Sequence, residues 1–421
     1  MIPVRQRFAP APPLDLAARV RAGLTPLLAA VKPDAPVAVA VGSRGITGLA
    51  AIVRAAIETL REAGARPFIV PAMGSHGGGT PEGQTALLAD YGVTETALGV
   101  PLHADMAVRA LATTPEGLEC VSSAAALAAD HVLLINRVKP HTDFRGRLGS
   151  GLLKMLVVGL GKHEGARRFH AAAHRLGYEP VLRAMADALR TRVPLLGGLA
   201  LIENQRHELV RITGVPAERL VAEDERLCAE AAALMPRLPF DDVDLLIVDR
   251  MGKNLSGTGM DPAIIGRMIH GYSTQIAPDQ PPPRVRRLFV RELTPESHGN
   301  AIGLGMADFT TDRLVAAMDP AVTRVNALTA LSIQGAKVPI HFPTDRDALE
   351  AALRTLCLPD PAQARVVRIR DTLDVERLAC SVSLRDAARA DCPLETTGPA
   401  RPFAFDADGN LLPLGGESGE Y

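Results

Sequence analysis

Three segments, PVAVAVGSRG (36–45), RPFIVPAMGSHGGG (66–79) and ADHVLLINRVKPH (129–141), share one build. Each carries a short apolar run and closes on a turn containing glycine, arginine or histidine. An uninterrupted apolar run of this length is the pattern of a buried strand. Between the first two lies TGLAAIVRAAIETLREAG (47–64), whose apolar residues recur at helical spacing and which ends at a glycine. After the second, TPEGQTALLADYG (80–92) starts a helix with Thr80 as N-cap and Pro81 at the first position. Such alternation of strand and helix implies an α/β fold. In these sheets sites gather at the loops after strand C-termini. Arg44, His76 and His141 all lie just beyond strand ends of that kind.

The second half repeats the α/β pattern. EDERLCAEAAALMPRLPF (223–240) reads as a helix followed by a proline-containing break, and DDVDLLIVDRMG (241–252) starts a new strand, which puts a boundary near residue 238. RVRRLFVREL (284–293) reads as a strand, TDRDALEAALRTL (344–356) as a helix, and ARVVRIRDTLDVERLACS (364–381) as a strand followed by a short helix. The expected organisation is an N-terminal domain over 1–237, a second α/β domain over 238–402 and a surface tail over 403–421. The active site is expected in the cleft between the two domains.

Composition excludes several classes. A formal net charge of −1 argues against an electrostatic nucleic-acid binder, and with 3% aromatic residues stacking platforms are scarce. The N-terminus shows no secretory signal pattern, and no apolar stretch approaches a membrane span. Five dispersed cysteines (Cys120, Cys228, Cys357, Cys380, Cys392) read as free thiols in a reducing compartment. The expected location is cytoplasmic. Arginine outnumbers lysine 40 to 6. In such a chain a surviving lysine is mildly enriched for places where an amine, not merely a positive charge, is wanted, while survival of six by chance accounts for any single one equally simply.

The segment PHTDFRGRLGSGLLKMLVVGLGKHEGARRFH (140–170) concentrates histidine, lysine and glycine. Its GSG (149–151) offers backbone amides, and Arg145 and Arg147 add charge, which together suit a phosphate. On a helix entered near Lys162, His163, His170 and His174 could share one face at a spacing acceptable for metal ligation. An amphipathic histidine stripe has the same spacing. Glycines around His76 let backbone approach a ligand closely, although the GxxxxGK[ST] phosphate loop is absent. In the second half MGKNLSGTGMDPAIIGR (251–267) sets Lys253, Asn254, Ser256 and Asp261 among glycines, and ELTPESHGNAIGLGMADF (292–309) does so for Glu296 and His298.

In order and spacing these pieces resemble the nickel-pincer lactate racemase family. Arg44 matches the family's arginine motif, GSH with His76 its Gly-x-His loop, and PH with His141 followed by SGLLK (150–154) its Pro-His and Ser-Gly-x-x-Lys. His170 lies sixteen residues past Lys154, with Gly159 and Glu164 five and ten past it. The resemblance covers roughly residues 36–175. It implies that Lys154 holds, through a thioamide, a nickel pincer nucleotide (a pyridinium dithiocarboxylic acid mononucleotide), with Ser150, Gly151, Arg145 and Arg147 around it. It further implies that His170 ligates the nickel, that His76 and His141 are the acid/base pair, and that Arg44 binds the substrate carboxylate, with Lys253 and Asn254 as second-domain candidates. Cofactor-biosynthesis proteins would then be partners.

The implied reaction is inversion at C2 of a 2-hydroxy acid. The α-proton beside a carboxylate is weakly acidic, so a hydride acceptor that passes through a transient 2-keto acid avoids a carbanion. The hydroxyl proton leaves from a different position in each enantiomer, which calls for two imidazoles. The chain departs from the family pattern in a longer stretch between His141 and Ser150 and in a missing acid before Arg44, which points to a substrate other than lactate. Two other readings compete. One is a zinc-type hydrolase using His163, His170 and His174, and the other is a non-catalytic binder of a small anion.

Overall fold

The computed structural model describes residues 1–42, 45–141, 146–267 and 283–414, with the side chain of Thr329 excepted. The chain divides into two compact units, Pro10–Met235 and Met1–Ala9 with Pro236–Tyr421. Strands are numbered in chain order, beginning with β1 (Ile2–Gln6).

In the unit Pro10–Met235, β2 (Pro36–Val41), β3 (Arg66–Pro71), β6 (His131–Arg137), β7 (Leu195–Glu203) and β8 (Leu209–Pro216) form a sheet of order β3-β2-β6-β7-β8. All neighbours are parallel except β7 and β8. A hairpin of β4 (Val108–Thr113) and β5 (Glu119–Ser123) stands apart from that sheet. The unbroken apolar run of β2 follows from burial on both faces. Val37, Val39 and Val41 join one core with Ile52, Val53 and Leu60 of the helix Leu49–Glu62. Ala38 and Ala40 point the other way, into a core with Leu152, Leu156 and Phe169. Each fully buried valine contributes about 1.5–3 kcal/mol of transfer free energy, so both faces hold the strand in register.

The second unit carries a sheet of order β12-β11-β10-β9-β13-β14-β1-β15. Its strands are β9 (Asp242–Met251), β10 (Arg284–Leu293), β11 (Phe309–Thr311), β12 (Ile340–Phe342), β13 (Val366–Ile369), β14 (Arg377–Cys380) and β15 (Leu394–Thr396), besides β1. From β12 to β13 the strands are parallel, and from β13 to β15 antiparallel.

Three expectations are corrected here. Residues 1–9 do not belong with the segment up to 237, because β1 pairs between β14 and β15. The short helix expected after the strand within 364–381 is the antiparallel strand β14. The turn into it is set by Asp371, whose Oδ1 accepts the amides of Leu373 and Asp374 at 3.0 Å each. The tail from 403 is not wholly a surface segment: Phe405 and Leu411 form an antiparallel bridge, and Leu411 is buried. Its glycines and prolines suggested exposure, but the two polar atoms of the Leu411 backbone are held by buried Asp345 and Arg291. Among the described residues no helix is long and apolar enough to cross a membrane.

Candidate functional site

The chain leaves β2 for β3 on one side of the sheet and later places β6 on the other side of β2. The sheet order therefore reverses at β2, and the crevice beyond the C-terminal ends there is the favoured ligand position of an open α/β sheet. A pocket of about 600 Å³, counted out to open solvent, occupies this position. Gly42 follows β2, Ala72, Met73 and His76 follow β3, and Asn136, Arg137 and Lys139 come from the end of β6 and just beyond. Ser150, Lys154, Met155, Val158 and Gly159 complete the wall.

The loop carrying His76 requires its glycines. Gly77, Gly78 and Gly79 have φ of 64°, 68° and 66°, a left-handed run that side chains rarely adopt. The next helix, Pro81–Asp90, is capped by Thr80, whose Oγ1 accepts the Gly83 amide at 3.1 Å. Gln84 on that helix donates through Nε2 to the carbonyls of Gly74 (2.9 Å) and His76 (3.3 Å), fixing the loop from below. Gln84 Oε1 faces the ammonium of Lys162 at 3.5 Å, and the same amine donates to the Pro71 carbonyl at 2.8 Å. Lys162 is wholly buried. Burial pushes its amine down to about 8, against a smaller opposing pull from Asp105.

Beyond β6 the chain returns on itself. Lys139 and Ser150 exchange both backbone hydrogen bonds at 2.8 Å, an antiparallel bridge. A short helical turn, Leu152–Lys154, runs directly into a π-helical turn, Met155–Gly159, a feature often found beside functional residues. Asp224, reaching in from the helix Leu220–Ala233, accepts the amides of Leu152 and Leu153 at 3.0 Å each. Asn136 Nδ2 donates to the Gly151 carbonyl at 2.8 Å. The phosphate cradle expected at Gly149–Gly151 is thus corrected in part: the amides of Ser150, Leu152 and Leu153 are taken by the chain's own carbonyl and carboxylate groups. Asp224 is entirely buried, and desolvation raises its carboxyl to about 6 although the two amides pull it down.

At the end of that turn Lys154 Nζ lies 2.9 Å from His141 Nε2. The ring of Tyr178 underlies both. It is 4.5 Å from the His141 ring and 5.8 Å from Lys154 Nζ, and Phe169 meets it edge-on at 5.2 Å. His170, half-buried on the helix Lys162–Leu176, stacks edge-on to Phe169 at 5.6 Å. Among the described residues, the charged ones lining the pocket are Arg137, Lys139 and Lys154, all cationic. Arg137 is ion-paired with buried Glu203.

The structure therefore brings His76, Ser150 and Lys154 to one pocket, with His141 on the lysine. Arg147 pairs with Glu225 at 2.7 Å on an exposed face. Arg44 and Arg145 lie outside the described residues. Lys253 and Asn254 belong to the other unit, where Lys253 Nζ donates to the Gly257 carbonyl (2.6 Å) and Asn254 Oδ1 accepts from Thr294 Oγ1 (2.7 Å). His163 and His174 are exposed. Among the described residues no three His, Cys, Asp or Glu side chains are grouped to hold a metal ion, so the zinc reading has no ligand set. Sequence reasoning missed Tyr178, Asp224, Gln84, Arg137 and Glu203. Lys162 was visible as one of six lysines but carried no role.

No family model matches the chain, and no curated protein matches its sequence. Among solved structures, that of the lactate racemase apoprotein from Thermoanaerobacterium thermosaccharolyticum matches with a TM-score of 0.50 at 13% sequence identity, covering 88% of this chain and 93% of that one. The chain has a lactate-racemase-like α/β fold.

Proposed function

We propose that this chain is a racemase or epimerase that inverts C2 of a 2-hydroxy acid and carries a nickel pincer nucleotide on Lys154. The observation that carries the reading is the 2.9 Å approach of Lys154 Nζ to His141 Nε2 beside the His76 pocket. The likeness of fold to a lactate racemase supports it.

The residues present fit such a group. Lys154 supplies a primary amine in a pocket wall whose charged lining is cationic, which suits an anionic nucleotide. His170 supplies an imidazole, a donor suited to nickel. Its ring follows Phe169 and Tyr178 in the aromatic row that also contacts His141 and Lys154. Lys154 would hold the group and His170 would complete the metal's ligands. When bound, the group supplies reversible acceptance of hydride from the substrate carbon.

The chain's own residues handle charge and protons. His76 and His141 would take and return the hydroxyl proton, one for each enantiomer, while the substrate passes through its 2-keto acid. Lys139, Arg137 and, by the family resemblance, Arg44 would receive the carboxylate. The π-turn after Lys154 and the Asp224 cap hold the tether in place.

Co-expression with the cofactor-biosynthesis proteins, followed by intact mass and nickel analysis, tests the reading. The expected outcome is an adduct at Lys154 with bound nickel, loss of nickel in His170→Ala, and retention of the adduct without turnover in His76→Ala. Turnover is read on a panel of 2-hydroxy acids. Absence of any adduct at Lys154 overturns the reading and leaves binding of a small anion, which the cationic lining also suits.

A further inference from the structure

We propose that His141 acts on Lys154 before it acts on any substrate: its Nε2 takes the proton that the lysine amine must lose to become a nucleophile, making Lys154 a self-activated acylation site. The inference deepens the reading above and rests on it for the identity of the natural acyl donor, but not for the reactivity of the amine.

A lysine ammonium has no lone pair and cannot attack a carbonyl carbon. Two nitrogens 2.9 Å apart form a hydrogen bond only when one donates and the other accepts. Either the ammonium donates to a neutral imidazole, or the imidazole donates to a neutral amine. A single proton shift along that contact converts the first state into the second, so the acceptor for the departing proton is already in place.

The surroundings hold this geometry. The Tyr178 ring lies against the His141 ring at 4.5 Å and beneath Lys154 Nζ at 5.8 Å. Tyr178 is itself buried, its hydroxyl directed at the Gly149 carbonyl at 3.4 Å. The backbone of Lys154 sits in the turn fixed by Asp224. The site is also reachable, because Lys154 lines the pocket and is half-buried.

The donor class is a thiocarboxylic or activated carboxylic acid. With the thiocarboxylate anion and the Lys154 ammonium as the starting state the step balances without an oxidant or reductant, the His141 imidazolium protonating the oxygen so that water rather than sulfide is expelled. A C–N bond forms between Lys154 Nζ and the carbonyl carbon, and the C–O bond breaks. Both hydrogens that the nitrogen loses leave with that oxygen as water, the first handed over through His141 Nε2, and a thioamide remains.

The experiment uses the purified full chain and a small acylating probe, N-succinimidyl acetate, in limiting pulses at pH 7, with peptide mapping of each lysine. Exposed Lys32 and Lys337 serve as internal references. Lys154 is expected to acetylate roughly a hundredfold faster than the references, the lower end of what a positioned general base contributes. In His141→Gln that advantage is expected to vanish, because the amide reaches about as far as the imidazole Nε2 but cannot take up the proton. Equal Lys154-to-Lys32 ratios in wild type and His141→Gln overturn the proposal.

A second arm co-expresses both forms with the cofactor-biosynthesis proteins and reads the mass at Lys154. Fast, His141-dependent acetylation with no cofactor adduct in wild type defeats the proposed function and leaves this inference standing. An adduct that forms equally in wild type and His141→Gln does the reverse.

Discussion

The carboxylate of Asp224 stands where a side chain on Gly151 would have to go: an ideal Cβ at Gly151 lies 2.3 Å from Asp224 Oδ1. Gly151 has an extended backbone, so its conformation does not demand glycine; the space does. The carboxylate is in that space because it caps the amides of Leu152 and Leu153, the turn that ends at Lys154. Gly151→Ala is therefore expected to destabilise the chain by about 1–3 kcal/mol, the usual scale of overpacking a filled core. Hydrogen exchange at the Leu152 and Leu153 amides checks the cause, since displacement of Asp224 speeds both. A variant with unchanged exchange and unchanged thermal midpoint contradicts the argument.

The same carboxyl makes stability depend on pH. Its folded value is about 6, raised from 3.8 by burial. Between those values the folded state binds the proton that the unfolded state has released. The contribution to stability is fully present below about pH 3.8 and is lost as pH rises through 6. The loss amounts to about 3 kcal/mol at about 1.4 kcal/mol per unit. Asp224→Asn cannot titrate. The stability of wild type minus that of Asp224→Asn is expected to fall by roughly this amount from pH 4 to pH 7. Urea denaturation across the range measures it, and parallel curves for the two proteins exclude the assignment.

These two residues also show what could be read in advance. The strands at 36–41, 66–71 and 131–137 were legible because burial on both faces leaves an unbroken apolar run. His76, Ser150 and Lys154 were legible because each follows a strand end or a glycine turn. Asp224 was not, because it acts from a helix some seventy residues away whose sequence, EDER, reads as a solvated face. The occupied amides after Gly151 were invisible for the same reason: local sequence offers donors, and only the fold says which acceptor arrives first. Strand β1 failed differently, since a five-residue strand beside a proline-rich segment carries no signal of its distant antiparallel partners.

Lys162 has the opposite sign from Asp224. Burial lowers its amine from 10.5 to about 8, so the unfolded state binds more protons between those values. Stability then rises with pH from about 8 to 10.5, and below 8 the buried ammonium costs about 3 kcal/mol relative to a neutral amine. Lys162→Met removes this dependence. The stability of wild type minus that of Lys162→Met is expected to climb by most of that amount between pH 7.5 and pH 10. The variant also leaves the Pro71 carbonyl and Gln84 Oε1 without this donor. Faster exchange at the His76 and Gly79 amides is the companion readout. A flat difference across the pH range would sink the assignment.

In the second unit the segment after residue 403 is held by buried charge. Asp345, with no solvent exposure, receives Arg291 Nε at 2.7 Å and the Leu411 amide at 2.8 Å through Oδ2, and Arg313 Nη2 at 2.6 Å through Oδ1. Arg291 continues to Asp249 at 3.0 Å, and Asp249 to Arg368, whose Nη2 donates to the Leu412 carbonyl at 2.7 Å. Removing one partner from such a network leaves an uncompensated buried charge, which costs about 3–5 kcal/mol. Asp345→Ala strips two arginines and the Leu411 amide at once, so a loss at the upper end of that range is expected. The segment from Phe403 to Leu412 should also detach before the rest of the unit unfolds, because its backbone anchors at Leu411 and Leu412 both depend on the network. Limited proteolysis under native conditions reads this as new cleavage within 403–412 in the variant. If cleavage there stays at the wild-type rate while global stability falls, the network stabilises the sheet but does not anchor the segment.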